Sequence, residues 1–178
     1  KDKIVKWISE HDPIEEHDLN IDVDLLYMDY IRFTKENEHA TDDARNIDFN
    51  AVCVNRIPGD PNSVTGGNVR GKYWTYPTDE DKEEERLPYV DEAAYTEICP
   101  EFEDTYTEEV FNLLSLKWDI GRLRFLMKPP RSCLSWHRDP ERRIHIPLVT
   151  NKGCRMIIED GAYYMRADGT VFITDNTV

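Results

Sequence analysis

Between Val23 and Lys35 the apolar residues Leu25, Leu26, Met28, Ile31 and Phe33 are interleaved with acidic and basic ones, a spacing that predicts a helix within this stretch. Ala51-Val52-Cys53-Val54 reads as a short buried strand ended by Pro58. Turn chemistry follows at Gly59-Asp60-Pro61-Asn62-Ser63 and Gly66-Gly67, and the aromatic run Lys72 to Pro77 reads as a packed strand, with a binding loop as the alternative. A second helix is predicted over Thr107 to Leu116: Thr107 can cap it, Glu108 and Glu109 favour its start, and Val110, Phe111, Leu113 and Leu114 form an apolar face. After Gly121 the period changes to two, with Leu123, Phe125 and Met127 alternating with Arg122, Arg124 and Leu126 until Pro129-Pro130.

From there onward strand-like runs dominate, at Arg143 to Val149, Cys154 to Glu159, Tyr163 to Arg166 and Thr170 to Thr174. Their connections, Asn151-Lys152-Gly153, Asp160-Gly161 and Asp168-Gly169, carry the residues that tight turns require. Short antiparallel strands at this spacing fit a sandwich or jelly roll. Helices come first and strands last, so the fold class is α+β. We expect one domain over residues 1–178, with a helical and loop-rich support region at 1–119 and a β-rich site region at 120–178. The strand from Thr170 to Asp175 has no closing partner after it, which predicts that the native chain continues past Val178.

Composition narrows the class of partner. The 178 residues are 39% hydrophobic and 11% aromatic, enough apolar material for a sizeable core. The 22 basic and 36 acidic residues leave a net charge of −14, which opposes nucleic acid and anionic membrane surfaces. Acidic residues crowd into Asp79-Glu80-Asp81 and Glu83-Glu84-Glu85, a solvated loop or helix start, whereas Arg122, Arg124, Lys128, Arg131, Arg138, Arg142 and Arg143 gather in the second half. A basic pocket inside an acidic protein favours a small anionic ligand. The four cysteines, Cys53, Cys99, Cys133 and Cys154, lack CxxC spacing, which argues against a zinc ribbon or a disulfide-dense module and makes a reducing cytoplasm the expected setting. No apolar run reaches the length of a membrane span.

The chemistry concentrates in Trp136-His137-Arg138-Asp139. On an extended segment His137 and Asp139 project to the same side, close enough to grip one divalent cation, and a second histidine would complete a facial triad of the non-heme Fe(II) type. The other histidines are His11, His17, His39 and His145, of which the first three lie in polar sequence and read as solvated. Alternation along Arg143 to Val149 puts Arg143, His145 and Pro147 on one face, with Ile144, Ile146 and Leu148 on the other, packed against a second sheet. A guanidinium aimed into the interior beside His137 and Asp139 needs an anionic partner, and a dicarboxylate matches its two-pronged donor geometry. Cys133 near the motif reads as a packed residue, since Fe(II) oxygenases take imidazole and oxygen ligands.

These blocks, from Ile120-Gly121-Arg122-Leu123-Arg124 through His137-Arg138-Asp139, Arg143 to Asn151, Gly153-Cys154 and Gly169-Thr170-Val171 to Asp175-Asn176-Thr177-Val178, resemble the aspartyl/asparaginyl β-hydroxylase branch of the Fe(II)/2-oxoglutarate-dependent dioxygenases. The resemblance implies a double-stranded β-helix of the jelly-roll, cupin-like kind. It implies His137 and Asp139 as the first two iron ligands, with Arg143 and His145 at positions similar to those that contact the 2-oxoglutarate or substrate carboxylate. The implied activity is hydroxylation of an unactivated carbon, in a peptide Asp or Asn side chain, an amino acid or another small metabolite, with release of succinate and CO2. The family's distal iron-binding histidine follows an Asp/Asn-rich strand end like Asp175-Asn176, and an arginine that pairs with the remote cosubstrate carboxylate lies farther on; both are expected past Val178. A polar residue that some members place ahead of the first histidine is Leu126 here. The reading from a different class is a non-catalytic jelly-roll module that binds a metal or anion. An acidic mimic of nucleic acid is disfavoured by the clustered arginines.

Overall fold

The computed structural model of the chain describes residues 13–37, 51–64, 91–134, 139 and 141–175. Contacts divide it into two compact units, Asp24–Trp136 and a composite of Lys1–Val23 with His137–Val178. The aromatic run Lys72 to Pro77, the acidic patch, His11, His39, Arg138 and His137 itself lie outside the described residues.

In the first unit, helix α1 (Val23–Glu36) buries Leu26 and Phe33 and half-buries Tyr30, positions that recur once per turn on one side. Strands β2 (Ala51–Cys53), β3 (Asn55–Arg56), β4 (Glu97–Ile98) and β5 (Arg124–Leu126) form two antiparallel pairs, β2 with β5 and β3 with β4. Phe33, Val52, Val54, Cys99 and Phe102 make the core, with Tyr30, Ile98, Leu123 and Phe125 packed against it. Helix α2 (Tyr106–Ser115) matches the predicted element, but Thr107 is not its cap. Thr105 holds the cap position and donates its hydroxyl to Phe102 O, while the Thr107 N–H and hydroxyl both donate to Asp29 Oδ2 of α1, at 2.9 and 2.8 Å. A carboxylate from another helix thus satisfies the open N–H at the positive end of α2.

The composite unit is built on a three-stranded antiparallel sheet in the order β1 (Ile14–Asp18), β9 (Thr170–Thr174), β6 (Arg143–His145). Strand β1 comes from a stretch in which the sequence pattern indicated no strand; tertiary pairing with β9 supplies what Ile14-Glu15-Glu16-His17-Asp18 lacks in local propensity. The strand predicted over Arg143 to Val149 stops at His145, because Pro147 brings no N–H to a ladder. β7 (Met156–Ile158) and β8 (Gly161–Tyr163) form a hairpin in which Ile158 faces Gly161 across Glu159-Asp160, so the turn lies one residue earlier than the predicted Asp160-Gly161. This register places Met156, Ile158 and Tyr163 on a single face, where they meet Ile14, Met165 and Phe172. Glu159 takes the left-handed φ of 52° that the turn needs. Before β9, Gly169 adopts φ 88° with the Ile21 carbonyl oxygen against its Cα, a place where a Cβ has no room. No helix among the described residues is long and apolar enough to cross a membrane.

Candidate functional site

Strand register assembles the site. Ile14, Thr174 and Arg143 stand opposite one another across the three strands, and Glu16, Phe172 and His145 form the next rung on the same face. Glu15, Ile173 and Ile144 point to the other side. Phe172 and Ile14 belong to the cluster with Ile158 and Met165, so the β7–β8 hairpin packs over the face that carries Arg143 and His145. The sequence pattern placed a second sheet against Ile144; Val171 and Ile173, the β9 residues of that face, are buried as fully as Phe172, so β9 is covered on both sides.

Asp139 and Arg143 form an ion pair with Nε 3.2 Å from Oδ1, the two side chains 20% and 28% exposed. His145 Nε2 lies 3.1 Å from Thr174 Oγ1. Burial pushes the His145 imidazole below its usual pKa of 6.5; the Asp139 charge opposes the shift and the Arg143 charge adds to it. Three of the predicted site residues, Asp139, Arg143 and His145, are therefore brought together in one unit. The fourth, His137, falls outside the described residues, and among the described residues no group of three His, Cys, Asp or Glu side chains is placed to hold a metal ion.

Three of the seven basic residues that the sequence gathered in the second half are paired with carboxylates. Arg122 grips Glu92 with Nε at 2.8 Å and Nη2 at 2.6 Å, Arg142 pairs with Glu15, and Arg143 holds Asp139. Cys133 is exposed rather than packed, with its thiol against the Leu134 carbonyl at 3.2 Å. His17 is half-exposed, its Nε2 3.5 Å from Glu15 Oε2. Thr174 did not stand out in the sequence, where it is one β-branched residue of a strand; only its pairing opposite Arg143 shows that its hydroxyl enters the site.

A family model described as aspartyl/asparaginyl beta-hydroxylase matches residues 84–178. No curated protein matches the chain. The matched stretch is more than half of the sequence and runs through Asp139, Arg143, His145 and Thr174; this chain belongs to the aspartyl/asparaginyl β-hydroxylase family.

Proposed function

We propose that the chain is an Fe(II)- and 2-oxoglutarate-dependent dioxygenase on a double-stranded β-helix, hydroxylating an unactivated carbon of a peptide Asp or Asn side chain, an amino acid or a small metabolite. His137 and Asp139 serve as metal ligands; Arg143 and His145 engage the cosubstrate carboxylate. The observation that carries this reading is the cluster of Asp139, Arg143 and His145 at one edge of a face covered by a second β layer, inside the stretch matched by a hydroxylase family.

The described residues fit the groups they are asked to hold. Asp139 offers a hard oxygen donor, which Fe(II) accepts alongside imidazole. Arg143 offers a planar fork for a carboxylate, and its present partner is itself a carboxylate, Asp139. The oxidising power for breaking a C–H bond comes from iron, 2-oxoglutarate and oxygen when bound. The protein's share is to fix the ligands, keep the cosubstrate charge paired and hold one substrate carbon beside the metal. Oxygen is divided between the hydroxylated product and succinate, and CO2 leaves from 2-oxoglutarate. The four cysteines, none joined to another, support placing the reaction in a reducing compartment.

Anaerobic titration of the Fe(II)-reconstituted full-length native protein with 2-oxoglutarate tests this reading. A visible charge-transfer band that disappears in His137→Ala and Asp139→Ala, with succinate formed on admitting oxygen, is the expected result. Metal retention without the band or succinate would instead identify a non-catalytic metal or anion module.

A further inference from the structure

Thr174 ends β9 on the site face, 3% exposed, and its hydroxyl touches two groups of β6. Its Oγ1 lies 3.1 Å from His145 Nε2 and 3.4 Å from Arg143 O. A hydroxyl has one proton to donate and lone pairs with which to accept, whereas a main-chain carbonyl only accepts. The Thr174 proton therefore goes to Arg143 O, and a lone pair is what Thr174 presents to the imidazole. For that contact to be a hydrogen bond, His145 Nε2 must carry the hydrogen. The opposite assignment, with Thr174 donating to Nε2, satisfies one of the two contacts and leaves the other unmade.

We propose that Thr174 is a positioning residue: it holds His145 with the hydrogen on Nε2, and so makes Nδ1 the ring nitrogen that meets a ligand. Nε2 is the atom the described residues engage, which agrees with this division of the ring. The tautomer that a histidine adopts is set by the partner of its other nitrogen, and a buried hydroxyl on a neighbouring strand is a rigid partner. The identity of the ligand rests on the proposed oxygenase reading; the hydrogen-bond roles do not.

Long-range 15N–1H correlation spectra of the metal-free chain labelled with 15N-histidine read the tautomer directly, the His145 signal being identified by its loss in His145→Gln. The wild type and Thr174→Ser are expected in the Nε2–H form, and Thr174→Val in a mixture or the Nδ1–H form. A wild-type His145 in the Nδ1–H form, or a folded Thr174→Val with an unchanged tautomer, would overturn the proposal, and the wild-type spectrum decides even where the valine variant does not fold. With turnover assayed, Thr174→Val should raise the apparent KM for 2-oxoglutarate by about 2- to 10-fold, the value of one neutral hydrogen bond, and Thr174→Ser should restore it. If no variant consumes 2-oxoglutarate, the oxygenase reading falls and the spectra still judge Thr174.

Discussion

The two units treat buried polar groups differently. In Asp24–Trp136, Asn55 is fully buried and engaged at both ends of its side-chain amide: the nitrogen donates to Tyr95 O at 2.6 Å and Gly121 O at 2.9 Å, and Oδ1 accepts from Leu123 N at 2.7 Å. Arg122, 2% exposed, is clamped by Glu92, and a Cβ on Gly121 would sit 2.9 Å from the Glu92 carbonyl oxygen, so the backbone there is packed to contact. In the composite unit, His145 is engaged through one ring nitrogen, and Arg143 and Asp139 keep a fifth or more of their surface exposed. The first unit answers its buried Asn55 and Arg122 with partners inside the protein, whereas in the composite unit the side chains of Asp139 and Arg143 stay partly exposed.

The sharpest way to break this contrast is to remove one arginine from each unit. Arg122→Gln leaves Glu92 enclosed without its cation and should lower unfolding free energy by about 3–5 kcal/mol in denaturant titration. Arg143→Gln removes a partly exposed pair and should cost about 1 kcal/mol or less, while 2-oxoglutarate binding, followed by the charge-transfer band, is lost. Equal destabilisation by both would erase the distinction between scaffold and site.

Thiol reactivity separates buried from exposed positions without mutation. Burial pushes the Cys99 thiol up to about 12 and raises Cys53 as well, whereas Cys133 and Cys154 are exposed. Mass spectrometry after brief alkylation of the native protein should find Cys133 and Cys154 labelled and Cys53 and Cys99 untouched until denaturant is added.

The smallest effect belongs to the rim of the composite unit. Arg166 bonds Asp168 at 2.8 Å and Glu16 at 2.9 Å and lies 5.5 Å from the Phe172 ring centre. Hydrogen bonds from Thr170 and then Arg166 hold the Asp168 carboxyl down to about 2, below its ordinary 3.8. A depressed carboxyl stabilises the folded state above the ordinary value and loses that contribution as pH falls through the folded one. Acid titration of stability should therefore show a slight loss between about pH 4 and 2 that is missing in Asp168→Asn. Solvent exposure keeps it slight.

Local pattern carried the helices well: the Val23 and Thr107 segments fold within a residue or two of the spans that apolar spacing indicated, since a helix closes its hydrogen bonds within its own sequence. Thr170 to Thr174 was equally legible, because five consecutive residues share strand propensity and a turn precedes them. The hairpin register was not, because a shift of one residue changes little locally and is decided by which face reaches Phe172 and Ile14. Neither was the supply of Asp29 to the start of α2, a partner far away in sequence.

For the site, the sequence alone determined the residue types and their order, a carboxylate at Asp139, a cation at Arg143 and an imidazole at His145, and the surrounding blocks pointed to the family. Only the tertiary structure decided that β1 and β6 flank β9, that the hairpin covers the Arg143 face, and that Thr174 meets His145. Periodicity along one strand says which residues share a face; which strand lies beside it, and in what register, depends on burial gained across the whole unit.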